Sequence, residues 1–432
     1  MQPHDRAHPF DARGFSALRP DDGGPPGISG APRAPGAPGV PVALGGRPPV
    51  PDAFCCVHPL ALEQPQQQGS GDWRLRATSK AIRSDSDLRR WLSSSTHSQF
   101  LAFVGRLAKH AAGKKSLPSL LRADVASRKI TEPAVAASGA ASQAQAAGAS
   151  AAAPAASACD GLGSRIRTFV PFGELPANNV CWAMLRVLQQ LLQWVQDIPP
   201  VEQPTRFGNQ AFKTWCRKLE EEALDLLAPV WTSSGTEISE TAKMELTDIF
   251  CSSFGNPVRL DFGTGHECSF AIFLFCLFKL KLLEEDTHDP FAVLGIFKGY
   301  VEVAHALQQR YMLEAAGSRG VWGLDDFHFL TFLWGAGQLS EQQIIEPDQI
   351  TERDLVQQLA PDLLYFDSIQ YVLQTKKGAP FFECSPILYD VSGISSWKKI
   401  CAGLIRMYEG EVLCKLPIVQ HFLFGTVFPL TK

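Results

Sequence analysis

Apolar residues recur at three- and four-residue spacing over most of the chain beyond Trp73, and that periodicity predicts helices. Val180–Val195 (VCWAMLRVLQQLLQWV) is strongly amphipathic and must stop before Pro199-Pro200, because proline cannot continue a helix. Phe212, Trp215, Leu219, Ala223 and Leu226 share one face of a helix expected over Asn209–Leu227. Ser84–Asp87 offers helix caps before LRRWL, and Phe100–Leu107 carries the pattern on. Comparable spacing runs through 268–283, 291–313, 327–339, 354–374 and 397–416. Strand-type alternation is scarce; Ile387–Val391 is its best instance and is short. The expected class is all-α.

Two segments carry no such pattern. Residues 1–72 are rich in Pro, Gly and Ala, a composition with too little apolar surface to offset the entropy of ordering, so a disordered extension is expected. Thr131–Ala158 is more than half alanine and has no apolar stripe to dock, which fits a flexible insert better than a packed helix.

Charge narrows the function classes. The formal net charge is −4, close to neutral, which argues against a general nucleic-acid binder. It is unevenly spread: residues 73–130 carry 13 Lys+Arg against 3 Asp+Glu, while 131–432 carry 22 against 34. The basic stretch can dock on the acidic body, meet a partner or present a solvated face. The 11 cysteines are scattered with no CxxC pair, so metal-ligand and disulfide-framework spacings are missing and reduced thiols in an intracellular protein are expected. Cys55-Cys56-Val57-His58 sits in Pro-rich sequence and is read as a chance grouping. The N-terminal residues show no secretory h-region. The most apolar run, Phe270–Phe278, is far short of the roughly 18 residues needed to span a bilayer, and reads as a buried helix of a soluble protein.

Two spans obey neither the helical nor the strand period: FGNPVRLDFGTGHE at Phe254–Glu267, and GVWGLDDFHFLTFLWG at Gly320–Gly335. Each crowds glycines, carboxylates and aromatics together, and glycine is costly inside elements unless backbone must approach something closely. Both are expected in connections between helices, and both point to a site. Asp261-Phe262-Gly263 is no kinase magnesium motif, because the HRD-type loop, strand lysine and Gly-rich turn that accompany it are missing. GxxxxGK[ST] does not occur, and Cys268 stands where a dinucleotide-binding turn needs its third glycine. His266-Glu267 lacks the second histidine of a zinc-protease helix.

What survives is local. Thr264–Glu267 has the T-x-x-E spacing of a capping box opening the helix 268–283. The N–H groups of a helix start also make a ready anion site, to which Arg259 can add a guanidinium. The residues alone leave the cap and the cap with an anion site both open. In the second span, the adjacent carboxylates Asp325 and Asp326 point in different directions on a helix and do not form an acid/base pair. One can cap the helix beginning near Phe327; the other is left for a metal, a basic partner or solvent.

Taken together, IPPVEQ (198–203), RFGNQAFKTW (206–215), FGNPVRLDFGTGHE, GSRGVWGLDDFHFLTFLWGAGQL (317–339) and GLIRMYEGEVLCKLPIVQHFLFG (403–425) resemble the protein phosphatase 2A activator family, also called phosphotyrosyl phosphatase activator. The likeness covers 73–112 as an N-terminal helical part and 169–432 as the main helical domain, leaving 1–72 and a low-complexity insert, 113–168, outside it. It implies helical core, linker and lid subdomains around a deep nucleotide pocket, with ATP and Mg2+ as cofactors. It implies activation of the serine/threonine phosphatase 2A catalytic subunit, with or without its scaffold subunit, through metal loading. A peptidyl-prolyl cis-trans isomerase activity on proline-containing peptides is also ascribed to the family, with no catalytic residue to name here. Carried onto this chain, the nucleotide contacts fall to Arg259, Thr264, Gly265, Pro417, Gln420 and His421, and the magnesium contacts to the Gly320 carbonyl and to Asp326. The cytoplasm is the implied compartment, with the nucleus left open. The alternative is a helical adaptor without nucleotide chemistry. Two departures stand out: YMLEAAGS (311–318) lacks an arginine and a proline common in the family, and Pro257 falls where a small hydroxyl residue is usual.

Overall fold

The computed structural model describes residues 77–120, 169, 180–317 and 320–430. The expected extension 1–72, most of the expected insert and the Cys55–His58 fragment lie outside them. Amphipathic periodicity resolves into α1 (Asp85–Leu92), α2 (Ser95–His110), α3 (Val180–Asp197), α4 (Ala211–Leu226), α5 (Ala228–Ser233) and α6 (Glu240–Cys251). Next come α7 (Thr264–Lys279), a π-helical segment Ala292–Phe297 running into α8 (Lys298–Tyr311), and α9 (Leu330–Gln338). The C-terminal part holds α10 (Arg353–Leu359), α11 (Leu364–Thr375), α12 (Phe381–Cys384), α13 (Pro386–Ser392), α14 (Trp397–Tyr408) and α15 (Leu416–Val419). Ser84 and Ser94 cap α1 and α2, each accepting a backbone N–H three residues on.

The described strands are two-residue pieces: β1 (Ser79–Lys80) pairs antiparallel with β4 (Leu423–Phe424), and β2 (Asp261–Phe262) pairs parallel with β3 (Glu314–Ala315). The class is mostly helical, as the periodicity predicts. Two expectations are corrected. Ile387–Val391 is not a strand but part of α13: Pro386 opens it with a preset φ, and the apolar residues it buries, Leu388 and Val391, are three apart. The expected helix over 354–374 is two, α10 and α11, with Pro361 in the break.

α7 sits at the centre. Every residue from Glu267 to Phe278 is buried, and a helix apolar on all sides has no solvent face to offer. Phe270 stacks on Tyr300 of α8 at 3.9 Å and 7°. α9 is buried along its whole length too. Its glycines explain themselves by packing: a Cβ on Gly335 would lie 2.5 Å from the Tyr365 nitrogen of α11, and one on Gly337 would strike the Ala108 backbone of α2. The Gly-rich end of the second span is thus an interhelical contact rather than a ligand cradle.

Part of the basic N-terminal stretch docks on the acidic body. On α2, Arg106 pairs with Glu285 and, at 3.1 Å, with Oδ2 of the fully buried Asp289, the same oxygen that His110 Nδ1 meets at 2.6 Å. None of the eight described cysteines is in a disulfide. No described helix is long and apolar enough to cross a membrane.

The β1–β4 ribbon is held by two carboxylates one turn apart on α6. Asp248 accepts from the Ala77 N–H (3.0 Å) and the Thr78 hydroxyl (2.9 Å) just before β1. Glu245, fully buried, accepts from the N–H groups of Thr426 (2.7 Å), Val427 (3.0 Å) and Phe428 (2.8 Å) just after β4. A Cβ on Gly425 would overlap that carboxylate. Glu245→Ala orphans two buried donors and the part-buried Thr426 N–H, and a loss of about 3 kcal/mol in urea unfolding is expected. A loss under about 1 kcal/mol would show that water replaces the carboxylate.

Candidate functional site

The first span is folded by its own side chains before it meets anything else. Asn256 Oδ1 accepts the N–H groups of Val258 and Arg259 (2.9 Å each), closing a tight turn. The chain then runs as β2 beside β3 and enters α7 through Gly263, the N-cap, whose φ of −171° is ordinary extended backbone. Glycine is needed there for room: a Cβ would lie 2.7 Å from the Ala316 carbonyl oxygen.

The expected T-x-x-E capping box is displaced by one residue. Gly263, not Thr264, is the cap, and the reciprocal bond is from the Gly263 N–H to His266 Nδ1 (3.2 Å). Burial, then the Arg259 and His421 charges, push the His266 pKa down to about 3, so the ring is neutral and can accept that proton donor. Glu267 turns away from its own helix end. Fully buried, it accepts the N–H groups of Phe329 (2.8 Å) and Leu330 (2.9 Å) and so caps α9. Its other oxygen meets His328 Nδ1 at 3.1 Å.

That contact ends a buried polar chain with one consistent direction. The Tyr371 hydroxyl donates to Gln308 Oε1 (2.7 Å), and Gln308 Nε2 faces His328 Nε2 at 3.1 Å. The amide must therefore donate to Nε2, which places the ring proton on Nδ1 toward Glu267. His305 lies flat on Tyr371 (3.5 Å, 2°) and edge-on to His328 (5.1 Å), closing the chain off from water. α7, α8, α11 and the second span are joined by this network.

Of the first-turn N–H groups of α7, His266 and Glu267 are taken up by the Gly263 carbonyl (2.9 and 3.3 Å). Those of Thr264 and Gly265 remain at the open helix end, both residues half-buried. A Cβ on Gly265 would make only ordinary contact with Ile418 Cγ2 of α15, 3.5 Å away. Ile418 is flanked by Pro417, and Gln420 Nε2 donates back to the Pro417 carbonyl (3.2 Å). His421, on the surface, has its pKa lowered by burial of the ring, then by the Lys80 and Arg259 charges, with Asp261 opposing. Arg259, Thr264, Gly265, Pro417, Gln420 and His421 are thus gathered at one end of the central helix. Arg259 is not idle there: it holds Asp261 with two bonds (2.7 and 3.2 Å).

Gly320 and Asp326 lie on the connection before α9. Asp325 caps the turn, accepting the N–H groups of Phe327 and His328 (3.0 Å each), while Asp326 meets Lys376 of the region after α11 at 2.8 Å. The Gly320 carbonyl accepts the Gly323 N–H (3.1 Å). Phosphate oxygens fit the α7 end, which offers two N–H donors and cationic neighbours. Magnesium fits the second group as a sparse donor set, since it takes one or two protein oxygens with phosphate and water completing its shell. Lys376 is then a competing cation. Sequence reasoning missed Glu267 as a cap for another helix, although it is the one charged residue in an otherwise uncharged run of twelve, Glu267–Phe278.

The molecule is a mostly helical protein built around a buried central helix. Residues 78–430 match the family model described as "Phosphotyrosyl phosphate activator (PTPA) protein", and the chain belongs to that family. It is 43% identical over 249 residues to the serine/threonine-protein phosphatase 2A activator 1 of Schizosaccharomyces pombe, covering 57% of this chain and 75% of that one. It is 36% identical over 269 residues to the serine/threonine-protein phosphatase 2A activator of Drosophila melanogaster, covering 62% and 65%. The crystal structure of the PP2A phosphatase activator Ypa1 PTPA1 superposes with a TM-score of 0.54 at 33% identity, covering 60% of this chain and 81% of that one.

Proposed function

We propose that this chain is an ATP- and magnesium-dependent activator of the serine/threonine phosphatase 2A catalytic subunit, acting as a chaperone of metal loading. The names of its relatives support the phosphatase as partner. The observation that carries the nucleotide is the gathering of Thr264, Gly265, Arg259 and His421 at the α7 N-terminus. Phosphates accept from the Thr264 and Gly265 N–H groups, with Pro417 and Gln420 closing one side. Arg259 shares its guanidinium between Asp261 and phosphate. Gly320 and Asp326 meet the magnesium. Isomerisation of an X–Pro bond requires strain and desolvation rather than a nucleophile, so the same complex can accommodate it. We place the protein in the cytoplasm, with the nucleus as a second compartment and the scaffold subunit as a further partner.

Capture of the phosphatase catalytic subunit with and without Mg–ATP, followed by a serine/threonine phosphatase assay, tests the reading. Nucleotide-independent capture with no gain in phosphatase activity would defeat it. Turnover of X–Pro peptides, measured with and without the phosphatase, tests the isomerase half. The metal assignment has its own check. Asp326 and Lys376 are each about a quarter exposed (24% and 23%), and such a pair contributes at most about 1 kcal/mol to stability, so Asp326→Ala keeps its fold. Its magnesium-dependent gain in ATP affinity is expected to fall about tenfold, read by calorimetric titration. An unchanged magnesium dependence would remove Asp326 from the metal site.

A second reading has its own support. Asp261 already satisfies Arg259 and Lys376 already faces Asp326, so both charged groups have internal partners. A helical adaptor without nucleotide chemistry would look the same in these two pairs, and it predicts phosphatase capture that ignores ATP.

A further inference from the structure

Lys80 enters from the far N-terminal side of the fold. It lies on β1, where both residues are exposed, and pairs in register with Leu423, two residues beyond His421. His421 follows α15, whose Ile418 lies against Gly265 at the open end of α7. The ribbon therefore places Lys80 beside the segment of His421, whose ring feels the charges of both Lys80 and Arg259. We propose that Lys80 is a further polyphosphate-binding residue of this site, an assignment that rests on the nucleotide reading above.

The electrostatics agree with the geometry. At the His421 ring the Lys80 charge is felt more strongly than that of Arg259. Asp261 is neutralised by the two-bond fork that Arg259 makes to it, and Glu314 of β3 lies in register beside that carboxylate. Arg259 is fixed by that fork, whereas a lysine ammonium on its four-carbon stem is a mobile point charge that can follow a terminal phosphate. The ribbon itself is fixed. Glu245 and Asp248 hold its two ends from α6, and α6 leads directly into the first span. One helix thus sets the position of Lys80 and of Arg259 together.

The test uses the full chain, with Mg–ATP and inorganic triphosphate as probes, titrated at two salt concentrations. Lys80→Ala is expected to weaken both probes about fivefold and to flatten the salt dependence. Its melting temperature stays unchanged, because β1 pairs through backbone. Lys80→Arg is expected to restore most of the affinity. If the wild type binds both probes and Lys80→Ala binds them equally well with the same salt slope, the assignment is wrong while the nucleotide site stands. If the wild type binds neither probe, the nucleotide reading falls and Lys80 falls with it.

Discussion

Glu267→Ala is expected to cost about 4–5 kcal/mol of stability, a large part of what holds a domain of this kind folded. The carboxylate is fully buried and accepts from two α9 N–H groups and from His328. Alanine strips the cap from α9 and leaves the Phe329 and Leu330 donors in a site without water. Those donors cost about 1–3 kcal/mol each, and the lost cap adds about 1 kcal/mol or more. Glu267→Gln is predicted to be much milder, about 1–2 kcal/mol. Its amide oxygen can still accept the two N–H groups, and its NH2 can donate to His328 Nδ1 if the ring changes tautomer. That change reverses the chain, so Gln308 must turn its oxygen to His328 and its NH2 to Tyr371. Urea unfolding of the three proteins, with amide exchange at Phe329 and Leu330, reads both effects. Equal losses for alanine and glutamine would mean that the carboxylate fills space and caps nothing.

The helical class was legible because amphipathic stripes survive in the sequence wherever one face meets solvent, as along Val180–Val195. It was least legible where no face does. α7 is apolar on all sides, so periodicity marked it as buried yet gave no start, and the T-x-x-E spacing then suggested the wrong cap. The right cap depends on Ala316, brought alongside by strand pairing from some fifty residues away. The two glycine-rich spans hold their glycines for mixed reasons. Gly263, Gly335 and Gly337 answer to neighbouring backbone, a packing demand that a one-dimensional pattern cannot distinguish from a ligand's demand. Asp325 and Asp326 divided their labour as spacing allowed, one capping and one meeting a cation, although the cation in this structure is Lys376. The links to Lys80 and Glu245 are long-range and left no local trace, and Glu267 left only its isolated charge in an apolar run.

Gly265 is where packing and ligand readings separate most cleanly, and Gly265→Asp is expected to lower Mg–ATP affinity at least about 100-fold with no loss of stability. The position has room: the added Cβ meets Ile418 Cγ2 at 3.5 Å, an ordinary contact, and the residue is helical. A carboxylate in the first turn is favoured by the helix dipole, by about 0.3–1 kcal/mol, so the melting temperature should hold or rise slightly. The same carboxylate stands at the two open N–H groups, where it takes the place of a phosphate and repels the rest. Like charges about 4 Å apart cost on the order of 4 kcal/mol near a protein surface, enough to outweigh the remaining cation contacts. Gly265→Ala supplies the Cβ without the charge and is expected to stay within about threefold of the wild type. An aspartate variant that is fully folded and binds Mg–ATP as tightly as the wild type would remove the phosphates from this helix end. If that variant loses ATP yet still activates phosphatase 2A, nucleotide and activation are separate properties. If both are lost together while the fold persists, the open end of α7 couples them.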